Sequence, residues 1–113
     1  MKSIIAGSRS FNDYEFMKNS LEPFIDTITT VISGTANGAD KLGEIWASEY
    51  HKDVIRMPAK WEVYGRSAGY RRNEDMAKNA DICFVFWDGS SKGSKHMINI
   101  ARASNIELHI FKY

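Results

Sequence analysis

A single cysteine, Cys83, stands among 113 residues, so no disulfide can close within the chain and no cysteine-based zinc site can be assembled. Its place in the apolar run DICFVFW makes it a buried, inert thiol. Long apolar stretches are missing as well. The opening MKSIIAGSRS has about four apolar residues ahead of Gly7, too few for the apolar region of a signal peptide or for a membrane span, and a cytoplasmic protein with no membrane association is expected. Charge of one sign is also lacking: Lys plus Arg number 15 against Asp plus Glu 14, a net charge of +1. There is no global field to draw nucleic acid or an anionic membrane, so any site for an anion has to be built locally. No repeat, low-complexity stretch or Pro/Gly-rich linker divides the chain, whose length fits one domain over residues 1–113 with a core of its own. His51, His96 and His109 have no ligand spacing with one another or with Cys83, and no GxSxG pattern occurs; neither a metal site nor a nucleophile elbow is expected.

What is present is a regular succession of short apolar runs: Ser3 to Ala6, Thr30 to Ser33, Asp53 to Met57, Asp81 to Trp87 and Ile106 to Phe111. Each is too short for a globular helix, and several are rich in Ile, Val and Phe, which predicts five strands. Segments of helical length lie between them, about Asp13 to Phe24, Ala39 to His51, Ala68 to Asn79 and Lys95 to Ser104. Strict alternation predicts an α/β fold of three layers, Rossmann-like, with a five-stranded parallel sheet in the order 3-2-1-4-5 and helices on both faces. In that order the chain reverses direction between strands one and four, and ligands bind in the crevice that opens there.

Three loops carry chemistry at that end. Gly7-Ser8-Arg9-Ser10 follows the first strand and combines close backbone approach with hydroxyl and guanidinium donors; the plainer reading is a tight turn with Ser10 capping a helix and Asp13 in support. Ser33-Gly34-Thr35-Ala36-Asn37-Gly38-Ala39-Asp40 runs from the second strand into a helix whose free amides favour an anion, and Asp40 either holds a ribose hydroxyl or complements the helix dipole. Trp87-Asp88-Gly89-Ser90-Ser91-Lys92-Gly93-Ser94 opens the last helix across the crevice. Arg72 lies on the otherwise apolar stripe Ala68, Met76, Ala80, where a guanidinium needs a partner: a bound phosphate or carboxylate, or a salt bridge with Glu74 or Asp75 of a neighbouring subunit. Trp61, Tyr64 and Tyr70 surround the loop before that helix as a lid, a dimer contact or a stacking platform, and Trp87 reads first as core.

With these motifs on the page, IAGSRSF, SGTANGAD, WxxYGxxAGxRRNxxM and ADxxFxFWDGxSxG together cover nearly the whole chain. As a set the chain resembles the SLOG superfamily, Rossmann-like domains related to DNA-processing protein A and to the lonely-guy proteins, and in particular its short YspA/YpsA-related branch. The resemblance implies a nucleotide or nucleotide-derived ligand (a nucleoside phosphate, or an NAD- or ADP-ribose-related molecule), no separate cofactor, and self-association as a dimer or higher oligomer. It directs attention to Gly7, Ser8, Arg9, Ser33, Gly34, Asp40, Arg72, Asn73, Asp88, Gly89, Gly93 and Ser94 as ligand contacts, for sensing or sequestration. The lonely-guy enzymes cleave the N-glycosidic bond of nucleoside 5′-monophosphates with an arginine and the glutamate of a GGxGTxxE pattern. Arg72 matches that arginine and Gly93-Ser94 the GT pair, but Met97 stands where the glutamate belongs, and a thioether cannot act as a base. An enzyme would therefore have to use Arg72 with Asp40 or Asp88. Single-stranded DNA binding through Arg66, Arg71 and Arg72 is a further reading that the balanced charge disfavours.

Overall fold

The computed structural model describes residues 1–113. Five strands, β1 (Lys2–Gly7), β2 (Thr30–Ser33), β3 (Asp53–Arg56), β4 (Ile82–Trp87) and β5 (Glu107–Lys112), pair in parallel throughout, in the order β3-β2-β1-β4-β5. The connecting helices are α1 (Tyr14–Leu21), α2 (Ala39–Glu49), α3 (Trp61–Tyr64), α4 (Ala68–Asn79) and α5 (Lys92–Ala103). The predicted α/β architecture and strand order are those observed. No helix is long and apolar enough to cross a membrane.

Right-handed crossovers on either side of the reversal send the helices to opposite faces. Side chains of the central strands alternate between those faces. Ile5, Phe84 and Phe86 pack with Phe11, Met17, Leu21 and Trp46 on the α1/α2 side, whereas Ile4, Ala6, Cys83 and Val85 pack with Met76, Ala77, Met97 and Ala101 on the α4/α5 side. β1 and β4, covered on both faces, therefore read as continuous apolar runs. Cys83 is fully buried, and burial pushes its thiol up to about 12, which keeps the reactive thiolate scarce at neutral pH.

The boundaries differ from the pattern where local chemistry decides them. Ser10 does not cap α1; it is exposed, and Asp13 takes that role, its Oδ1 accepting from the Phe16 amide at 3.0 Å. Phe11 is the reason: it is buried against Phe86, with ring centroids 5.1 Å apart, and so holds the chain in a turn until Asp13. The regular α1 gives way at Leu21 to a single 3-10 turn, Glu22–Phe24, that contains Pro23. α5 starts at Lys92, earlier than the apolar periodicity indicates, because Ser91 caps it, with its Oγ accepting from the Ser94 amide. The one-turn α3 was not anticipated; it sits in the stretch before α4 expected to be a loop.

Candidate functional site

The carboxyl ends of β1 and β4 are clamped together before any ligand is considered. The Ser8 amide donates to the Phe86 carbonyl at 2.9 Å, and the Asp88 amide donates to Ser8 Oγ at 3.2 Å. The loop after β2 is fastened to the same point: Gly38 adopts φ +78, a Cβ there would come within 2.4 Å of the Ser8 carbonyl oxygen, and the Ala39 amide donates to that oxygen at 3.3 Å. This stitching brings the N-terminus of α2 beside the first loop. No protein group accepts from the Asp40 or Lys41 amides, which leaves the positive end of the α2 dipole available on this side.

A cavity of about 270 Å³ opens there, bounded by Gly7 and Arg9 from the first loop, Asp40 from α2, Arg72 and Asn73 from α4, and Gly93 and Ser94 from α5. A second cavity of about 370 Å³ includes Gly34 and again Arg9 and Arg72. Arg72 also borders a third hollow with Arg56, Lys60 and Arg71, so it stands where three depressions meet.

Arg72 reaches this position by an approach that only glycine permits. A Cβ on Gly34 would lie 2.6 Å from Arg72 Nη1 and 2.8 Å from Asp40 Oδ2, so the guanidinium and the carboxylate close over the same spot of bare backbone. Arg72 Nη1 donates to the Gly34 carbonyl, and Nε donates to Asn73 Oδ1 at 3.0 Å. No carboxylate comes within ion-pair distance of Arg72. Burial lowers its pKa, Asp40 opposes that through space, and Arg9 adds to it. The cation is thus half-buried, oriented by neutral acceptors, and short of countercharge.

Asp40 is perturbed the other way. Burial pushes its carboxyl up to about 6, against the Ala36 amide, which donates to Oδ2 at 3.1 Å, and against Arg72. Asn73 is nearly buried and committed at both ends: its Oδ1 accepts from Arg72 and its Nδ2 lies 3.2 Å from His96 Nδ1. With Nδ2 donating, that ring nitrogen must be unprotonated, consistent with burial lowering the His96 pKa against the pull of Glu74.

With the geometry in view, residues 1–64 match the family model described as YspA, cpYpsA-related SLOG family. The Gene 61 protein of Mycobacterium phage D29 is 30% identical over 112 residues, covering 91% of this chain and 90% of its own. The chain belongs to the YspA, cpYpsA-related SLOG family. Among solved structures, DNA processing protein A (DprA) from Streptococcus pneumoniae superposes on 96% of this chain with a TM-score of 0.76 at 13% identity, a likeness of fold. The chain spans 49% of that protein.

Within this SLOG domain, eight of the twelve residues expected to contact a ligand bound the two cavities, and four do not: Ser8, Ser33, Asp88 and Gly89. Ser8 is buried as the clamp between the first and fourth loops. Ser33 is buried, its Oγ donating to Glu44 at 2.6 Å and accepting from the Thr35 amide. Asp88 is exposed and turned back on its own loop, accepting from the Ser90 and Ser91 amides at 2.8 Å each; these bonds hold its pKa down. Such a carboxylate is a poor proton donor, which counts against it as a catalytic acid. Gly89, at φ +89, makes the turn. Trp87 is half-buried with Nε1 donating to the Ser91 carbonyl at 3.1 Å, and the Lys112 amine lies over its ring. Trp61 and Tyr70, two of the aromatics read as a lid, a dimer contact or a stacking platform, line the first cavity together with Arg66; Tyr64 borders the third hollow instead.

Proposed function

We propose that this SLOG domain binds a nucleotide or nucleotide-derived molecule by its phosphate in the crevice between the loops after β1, β2 and β4, for sensing or sequestration. The observation that carries the reading is Arg72: a half-buried guanidinium without a carboxylate partner, aimed by Gly34 and Asn73, next to Arg9 and the open N-terminus of α2. Three arginines, Arg9, Arg66 and Arg72, face one carboxyl, Asp40, around the first cavity. A phosphate supplies the missing countercharge and accepts charge-assisted hydrogen bonds. Contacts beyond the phosphate would come from Gly93 and Ser94 at the start of α5 and from Asp40 toward a sugar hydroxyl. Native mass spectrometry of freshly purified protein, followed by denaturation, tests this: release of an intact nucleotide supports it, and release of a ligand without phosphate overturns it.

One observation favours a second reading, phosphoribohydrolase chemistry on nucleoside 5′-monophosphates. Asp40 is a buried carboxyl whose pKa, about 6, allows it to hold a proton close to neutrality, as a catalytic acid requires. Met97, buried in the cavity wall at the position of the lonely-guy glutamate, offers no such chemistry. Free base appearing from a nucleoside monophosphate with the wild type, and not with Asp40→Asn, supports this reading; intact substrate after prolonged incubation overturns it.

A further inference from the structure

Trp61 and Tyr70 line the cavity that contains Arg9 and Arg72, yet 51% and 46% of their surfaces remain in water. Stability of the isolated fold gains little from rings left so exposed, since burying apolar area is what stabilises. Each ring is nevertheless supported from behind. Trp61 lies over α4 at Gly69, close enough that a Cβ there would be in ordinary van der Waals contact, 3.4 Å, with its Cη2. Tyr70 packs on the His96 imidazole with ring centroids 4.3 Å apart, and His96 is itself fixed by Asn73. The two aromatics are thus positioned in a cavity that Arg9, Arg66 and Arg72 also line. Trp61 also borders the adjoining cavity, so it spans the line along which a ligand held at Arg9 and Arg72 would extend.

We infer that Trp61 and Tyr70 form the subsite for the planar ring of the ligand, so that the site takes a purine nucleoside phosphate: phosphate on Arg9 and Arg72, base against the two aromatics. This rests on the phosphate reading above. Base–aromatic stacking is sequence-tolerant and grows with the area of the π-face, which favours purines over pyrimidines. Stacking contacts the π-face and not the base edge, so this subsite discriminates weakly between the purines.

Calorimetric titration of AMP, GMP, CMP and ribose 5-phosphate into the wild type, Trp61→Ala, Tyr70→Ala and Arg72→Ala separates the two claims. Both aromatic side chains are largely exposed, so their removal leaves the core intact. The expected result is that AMP and GMP bind alike and more tightly than CMP. Each aromatic substitution should weaken AMP roughly tenfold while ribose 5-phosphate changes less than about twofold. Arg72→Ala should weaken all four. Unchanged AMP affinity in both aromatic variants, with loss only in Arg72→Ala, overturns the base subsite and leaves the phosphate reading standing. Equal losses of AMP and ribose 5-phosphate in Trp61→Ala also overturn it, since Trp61 would then only shape the cavity. If Arg72→Ala binds every probe as the wild type does, the phosphate reading fails by itself.

Discussion

The two faces of the sheet are covered by different kinds of side chain, and only one of the two cores contributes to the wall of the cavity at the carboxyl ends of the strands. On the α1/α2 face rings meet rings: Phe11 with Phe86 at 5.1 Å between centroids, Phe24 with Phe84 at 4.9 Å, Phe86 with Phe111 at 5.1 Å. On the α4/α5 face the sheet presents the aliphatic Ile4, Ile32 and Val85 with the small Ala6 and Cys83 to Met76, Ala77, Met97 and Ala101. Ala6, Met76 and Met97 belong both to that core and to the wall of the first cavity, whereas no residue of the aromatic cluster reaches it. Rigid, bulky rings fill their side of the sheet. Small residues and flexible thioethers leave room at the carboxyl ends of the strands, where Arg72 and Asp40 can stand.

The contrast is broken if both faces respond alike to truncation. Phe84→Ala, in the aromatic face, should cost about 3–5 kcal/mol of unfolding free energy. Met97→Ala, at the cavity wall, should cost about 2 kcal/mol, because space already adjoins it and little new void is created. Denaturant unfolding of the two variants checks this, and equal losses would mean that the α4/α5 face is packed as tightly as the other.

A pH experiment sharpens the comparison on the cavity side. Asp40 has a folded pKa of about 6, above its ordinary 3.8, so the fold favours its protonated form. That contribution is fully present below about pH 4 and is lost as pH rises through 6. From pH 4 to 7 the wild type should therefore lose stability relative to Asp40→Asn, by on the order of 2–3 kcal/mol. Parallel stability curves for the two proteins would contradict the assigned burial.

Gly34→Ala should be the mildest of these changes for the fold and a clear one for the site. Its methyl would intrude on Arg72 Nη1 and Asp40 Oδ2, at 2.6 and 2.8 Å, and both are ends of side chains that can move aside. The expectation is a melting temperature within a few degrees of the wild type and roughly tenfold weaker binding of AMP, as when a charged hydrogen bond worth about 1.5 kcal/mol is lost. Full retention of affinity would show that the exact seat of the guanidinium does not matter.

Strand count was legible in the sequence because it rests on local periodicity, Ile/Val/Phe runs of strand length, and strand order followed from their strict alternation with helical segments; Arg72 stood out as a charge interrupting a four-residue apolar stripe. Partners distant in sequence were not legible. Nothing near Ser8 shows that its hydroxyl will accept from the Asp88 amide, nor near Ser33 that its hydroxyl will donate to Glu44, so both read as free ligand contacts. Asp88 reads as a candidate acid because nothing in the sequence shows that the Ser90 and Ser91 amides will donate to its carboxylate. Trp61 sits in a one-turn helix, too short for any periodic pattern, and its neighbour across the turn, Gly69, lies eight residues further on in α4.

The most direct test of the central claim, that a phosphate-bearing ligand is held by Arg72 at the carboxyl ends of the strands, is the affinity of AMP for Arg72→Ala and for the wild type at pH 7. Loss of at least about tenfold in affinity, with thermal stability retained, is the predicted result. Equal affinities in a folded variant would contradict it and move the site elsewhere.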